Sequence, residues 1–248
     1  IAGMIDFFYI LVIVALGPII GSAIGVLKRP SQRFMYNMLS FAAGVMLAIS
    51  FLELIPESIA LSSVWFAAIG VFAGSVVMYV LDKSLPHIHP ELCSQEQGCK
   101  LKRTAIYLMV GIFLHNFPEG MAIALGDVAT TTSLTLIIAL AIAIHDIPEA
   151  ICTSAPYYHC TKKRLRAFLL SSSTMIPTFI GFIIGKILFG IIPLYVVGII
   201  IAATAGIMIY ISADELIPAS CMQKSDHGTI FSLIIGILFV IFLGYIGI

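Results

Sequence analysis

Charge is what this sequence has least of. Asp, Glu, Lys and Arg make up only 10% of its 248 residues, and the formal net charge is zero. An ordinary soluble domain carries about 25% charged residues, so a water-soluble globular protein is excluded. The absence of a basic excess removes the electrostatic basis for binding nucleic acid. Cysteine is sparse as well. Five occur, an odd number, at positions 93, 99, 152, 160 and 221, and three of them fall in connections expected to face a reducing cytoplasm. A disulfide framework is therefore not expected. No H-E-x-x-H pattern is present, and the polar loops are too short to hold a signalling domain.

What the chain has instead is hydrocarbon. Apolar residues reach 60% and the mean hydropathy is +1.09, which identifies an all-α, multi-pass integral membrane protein. Eight runs near or above the ~20 residues needed to cross a bilayer are expected at 4–27, 35–59, 62–82, 104–127, 131–153, 165–190, 194–220 and 229–247. Twelve of the thirteen basic residues lie in the loops between spans 1–2, 3–4, 5–6 and 7–8, with only Lys186 on the other side. The positive-inside rule then puts those loops, including the longest at about 83–103, in the cytoplasm and both termini outside. Lys28, Arg29 and Arg33 follow the first span rather than precede it. That polarity is wrong for a signal peptide, so the span is read as a mature helix. The whole of 1–248 reads as one transmembrane domain, with the plasma membrane as the expected location.

An internal repeat organises these spans. Residues 41–58 align without gaps on 203–220 and agree at ten of eighteen positions, among them Gly44/Gly206, Met46/Met208, Ser50/Ser212, Glu53/Glu215 and Pro56/Pro218. Spans two and seven are five crossings apart and so run in opposite directions, the signature of an inverted repeat. The expected architecture is a 3+2+3 bundle whose pseudo-twofold axis also relates the central pair, spans four and five.

Those two spans carry the chemistry. His115-Asn116-Phe117-Pro118-Glu119 and His145-Asp146-Ile147-Pro148-Glu149 repeat one H-x-x-P-E pattern deep within apolar runs. Ionisable side chains at membrane depth cost at least about 2.5 kcal/mol each, which makes them functional by default. His and Glu at i and i+4 share a helix face, so His115, Glu119, His145 and Glu149 form a candidate shell of two ligands per helix. Imidazole plus carboxylate suits zinc, iron(II), manganese or cobalt better than magnesium or calcium. Two carboxylates give −2, which a divalent ion neutralises and protons would contest, so binding should weaken in acid. Asn116 and Asp146 stand about 100° round the helix and form an adjacent polar position. Each proline removes a backbone donor, and the carbonyls of Leu114 and Ile144 are candidates for exposure at a kink.

Further acids and histidines read as stations along a route: Glu53 and Glu57 on span two, Asp214 and Glu215 on span seven, and Asp82, His87 and His89 where span three ends. An intramembrane metal-dependent enzyme is the competing chemistry, since His and Glu on paired helices also describe di-metal bundles. Duplicated helices with acids at both ends favour passage over catalysis.

The H-N-x-P-E-G and H-D-x-P-E pair on spans four and five resembles the ZIP (Zrt/Irt-like) divalent-metal transporters, nearest to their GufA-like branch, over nearly the whole chain. The resemblance implies import of zinc, iron or a related ion such as cadmium toward the cytoplasm. It also implies alternating access, a homodimer and no resident cofactor. It adds Met46 to a main site of His115, Glu119, His145 and Glu149, gives Asn116 and Asp146 to a second metal position, and matches Asp82, His87, His89 and Glu215 to exit and entrance positions. Two departures stand out. Ile176 precedes Pro177 where two-metal members carry Glu, so a single metal is expected, and Asp214-Glu215 replaces the usual His-Glu.

Overall fold

The computed structural model describes residues 2–27, 30–84, 116–125, 132–220 and 227–246. Among these every regular element is a helix. In chain order they are α1 (Ala2–Leu27), α2 (Gln32–Ala48), a π-helical stretch (Ile49–Leu54), α3 (Ile55–Leu61) and α4 (Val64–Ser84). A helical segment at 116–125, α5, follows. Then come α6 (Thr132–Thr161), α7 (Arg164–Ser172), α8 (Met175–Phe189), α9 (Leu194–Ile211), a second π-helical stretch (Ser212–Leu216), α10 (Ile217–Ser220) and α11 (Gly228–Ile246).

Seven candidate membrane spans result: Phe8–Leu27, Arg33–Leu61, Val64–Lys83, Thr135–Ala155, Arg164–Phe189, Leu194–Ser220 and Gly228–Ile246. The chain is a multi-pass integral membrane protein. These seven match seven of the eight expected runs. Of the eighth, expected at 104–127, only 116–125 lies within the described residues. The outward faces carry large apolar side chains such as Trp65, Phe72, Phe231 and Tyr245, as befits a surface whose solvent is lipid.

Hydrocarbon gives helices no hydrophobic reason to associate, so close backbone approach and interhelical hydrogen bonds have to do it. Glycines mark where. A Cβ on Gly17 would run into the Ala143 carbonyl, one on Gly21 into that of Ile147, and one on Gly25 into the Ser154 hydroxyl. The positions advance together, so α1 and α6 lie against each other and run the same way. Gly44 meets Leu233 and the Ser40 hydroxyl donates to the Thr229 carbonyl at 2.6 Å, aligning α2 with α11. Gly74 meets Ala203 and Gly206 meets Val71, while Ser75 Oγ donates to the Gly206 carbonyl at 3.0 Å. Those contacts align α4 with α9. Gly181 and Gly185 abut Phe117 and Met121, so α5 and α8 also run in parallel.

The two π stretches fall at matching points of the 41–58 and 203–220 alignment, each just before a proline. Ile55 N–H donates to the Ser50 carbonyl and Ile217 N–H to the Ser212 carbonyl, both five residues back. Ser50 Oγ donates to the Met46 carbonyl, and Ser212 Oγ to that of Met208, each at 2.8 Å. Wide turns of this kind are frequent at functional positions in helices. By contrast, α6 continues as one α-helix from Thr132 to Thr161 through Pro148.

Candidate metal site

His145 is the midpoint of the span Thr135–Ala155 and is fully buried. Its ring is held at both nitrogens. Nδ1 lies 3.1 Å from the Ala141 carbonyl one turn earlier, and a carbonyl can only accept, so Nδ1 carries the proton. Nε2 lies 3.0 Å from Oε1 of Glu119 on α5 and 3.5 Å from Oδ1 of Asp146. A backbone acceptor on one nitrogen fixes the tautomer and aims the other at a metal.

Glu119, His145 and Asp146 each offer a donor atom, and these atoms all lie within 4.8 Å of one another. All three side chains are buried. Among the described residues Glu119 Oε2 has no hydrogen-bond partner, an expensive condition for a buried carboxylate oxygen unless something else occupies it. Between Nε2 and Oε1 a proton must be shared when no ion is present, since a carboxylate and an imidazole lone pair would otherwise face each other. A divalent cation bound at both atoms displaces that proton.

The remaining expected residues are distributed as follows. Glu149, one turn beyond His145, is buried but is not part of the close group. Asp146, expected about 100° away, is in it: pinning the ring to Ala141 swings Nε2 toward the next carboxylate. Asn116 is buried and donates through Nδ2 to the Thr174 carbonyl at 2.7 Å, tying α5 to the break between α7 and α8. Among the described residues its Oδ1 has no hydrogen-bond partner. Met46 is fully buried, and so is its repeat counterpart Met208, so burial alone does not single it out. Ile176 is 44% exposed. His115, His87 and His89 lie outside the described residues.

Of the outlying acids, Asp82 is half-buried at the end of α4 and accepts a long 3.4 Å bond from the Tyr210 hydroxyl on α9. Asp214 and Glu215 follow on the adjoining π stretch. Glu53 lies on the other π stretch, near Gly244 of α11. Glu53 stands eight residues before the end of α3, toward the side of the bundle where α4 starts, whereas Asp82 stands near the finish of α4, which is about 30 Å long, toward the other side.

Several supporting groups carry no sequence signal of their own: the Ala141 and Thr174 carbonyls, and Gly17. A Cβ on Gly17 would stand 2.9 Å from the Asp146 Cβ, so this glycine makes room for the acid beside α1.

A family model described as ZIP Zinc transporter matches residues 83–246. A zinc transporter ZupT of Chlorobium luteolum is 33% identical over 236 residues, covering 88% of each chain. A zinc transporter ZupT of Escherichia coli O127:H6 is 34% identical over 225 residues, covering 88% of this chain and 87% of its own.

Proposed function

This chain belongs to the ZIP zinc transporter family and moves divalent metal cations rather than catalysing a reaction; from that premise we propose that zinc is the cargo and that it crosses through the Glu119, His145 and Asp146 group. The observation that carries the reading is the convergence of these three buried donors at the midpoint of a membrane span. Imidazole with carboxylate oxygens favours zinc and its neighbours over alkaline-earth ions. His115, Asn116, Glu149 and Met46 complete the coordination as the ion arrives and leaves, with one ion held at a time.

Passage runs from Glu53 and Glu57 at one end to Asp82, Asp214 and Glu215 at the other, with His87 and His89 receiving the ion beyond. The basic loops belong to the cytoplasmic side, which puts both termini outside, makes the direction inward and suits a plasma-membrane location. A homodimer is the proposed assembly.

Eight crossings in a 3+2+3 inverted repeat are part of this proposal, supported by helix direction. α1 and α6 run the same way, the relative direction that eight crossings, one of them at the expected 104–127, would give them. The contact of α2 with α11 is answered by that of α9 with α4, as a twofold in the membrane plane requires.

Purified protein in sealed liposomes is expected to admit zinc, and Asp146→Asn to weaken zinc binding at least about tenfold, the lower bound for losing even an outer partner of a metal site. Isothermal titration alongside the flux assay checks both. Impermeable liposomes would refute the cargo, and unchanged affinity in Asp146→Asn would take that carboxylate out of the site.

A further inference from the structure

The corner where α6 turns into α7 carries a charge patch that transport does not use. Lys162, Lys163, Arg164 and Arg166 occupy four of five consecutive positions, and all are exposed. Among the described residues no acidic side chain pairs with any of them, and the nearest acids along the chain are Glu149 and Asp214. Lys162 takes a left-handed φ of 57°, a conformation glycine would adopt more easily. That backbone turns the chain between α6 and α7 within two residues, so the four cations share one corner.

The patch lies at the edge of hydrocarbon. The spans on either side end at Ala155 and begin at Arg164. Leu165, set between two arginines, is 68% exposed, and Leu169 is exposed one turn further along. The Arg164 guanidinium sits 5.5 Å from the centre of the Tyr158 ring, an aromatic of the kind found at headgroup depth. Val26 near the end of α1 packs with Tyr157 and Ala167, so the end of α1 lies beside the same corner.

We propose that this corner is a binding surface for the head groups of anionic phospholipids in the adjoining leaflet. The four cations supply the charge complementarity, and Leu165 and Leu169 offer apolar contact to the acyl chains below. A zwitterionic head group meets no net attraction there, so the surface selects phosphatidylglycerol over phosphatidylcholine. Because α6 carries His145 and Asp146, a lipid held at its end steadies the helix that holds the ion.

The test is native mass spectrometry of the delipidated protein with phosphatidylglycerol or phosphatidylcholine at matched concentration. The wild type is expected to retain the anionic lipid at least about tenfold more strongly. Replacing all four cations by glutamine should erase that preference with zinc binding intact, while Lys162→Arg with Lys163→Arg should keep it. Raising the salt on the wild-type protein should weaken it without any mutation. Equal retention of the two lipids by the wild type, or a preference that survives the fourfold replacement, would overturn the proposal. Displacement of the lipid by equimolar soluble glycerol phosphate would do the same, by revealing a small-anion site.

Discussion

Glu119→Gln is expected to stop metal flux while leaving the protein folded. The amide is close to the carboxylate in shape and can donate to His145 Nε2, whose other nitrogen faces the Ala141 carbonyl. Stability should therefore change by no more than about 1–2 kcal/mol, the scale of one altered buried hydrogen bond. The ion fares differently. Removing the Glu119 carboxylate takes away the oxygen that faces His145 Nε2 and, with it, one negative charge from the buried group that must balance a divalent ion, at a cost of several kcal/mol. A fall in zinc flux of about 100-fold or more follows, beyond the 10–100-fold typical of losing a supporting partner. Wild-type flux in a folded Glu119→Gln protein would mean that the ion takes another path.

The second large effect is steric. Gly17→Ala puts a methyl group against the Ala143 carbonyl and 2.9 Å from the Asp146 Cβ. Backbone cannot yield as a flexible side chain does, so α1 must move off α6, at about 1–3 kcal/mol for an overpacked contact. Thermal unfolding in detergent should show the loss, and zinc affinity should fall with it because Asp146 is displaced. Gly190→Ala is the control: its nearest neighbours stand 3.6 Å away at a helix end with ordinary dihedrals, and the midpoint should hold or rise slightly. An unshifted Gly17→Ala protein would contradict the packing described for the two helices.

Much of this was legible in the chain because membranes penalise polarity. A histidine or glutamate inside an apolar run has to be explained, so Glu119, His145, Asp146 and Glu149 announce themselves. Seven spans followed from length and hydropathy for the same reason. The 41–58 and 203–220 similarity located two helices that later proved to share a π turn. What it did not convey was that turn itself, since a five-residue hydrogen bond leaves no pattern in the residue types. Helix-face arithmetic set Asp146 about 100° round from His145, in an adjacent polar position; what it does not convey is that the His145 ring, held to the Ala141 carbonyl, brings Nε2 within 3.5 Å of that carboxylate. Which helix each glycine meets carries no sequence signal either, since the partners lie far off along the chain, 64 residues away for Gly181 and Phe117 and 189 for Gly44 and Leu233.

The central claim is that the cargo ion is coordinated by His145 together with the Glu119 and Asp146 carboxylates. X-ray absorption at the zinc edge, on wild-type protein loaded with zinc and on His145→Ala, tests it most directly. The account predicts a nitrogen and oxygen shell near the usual 2.0–2.2 Å, with outer imidazole scattering that diminishes in His145→Ala. Identical spectra from the two proteins, each with bound zinc, would contradict it.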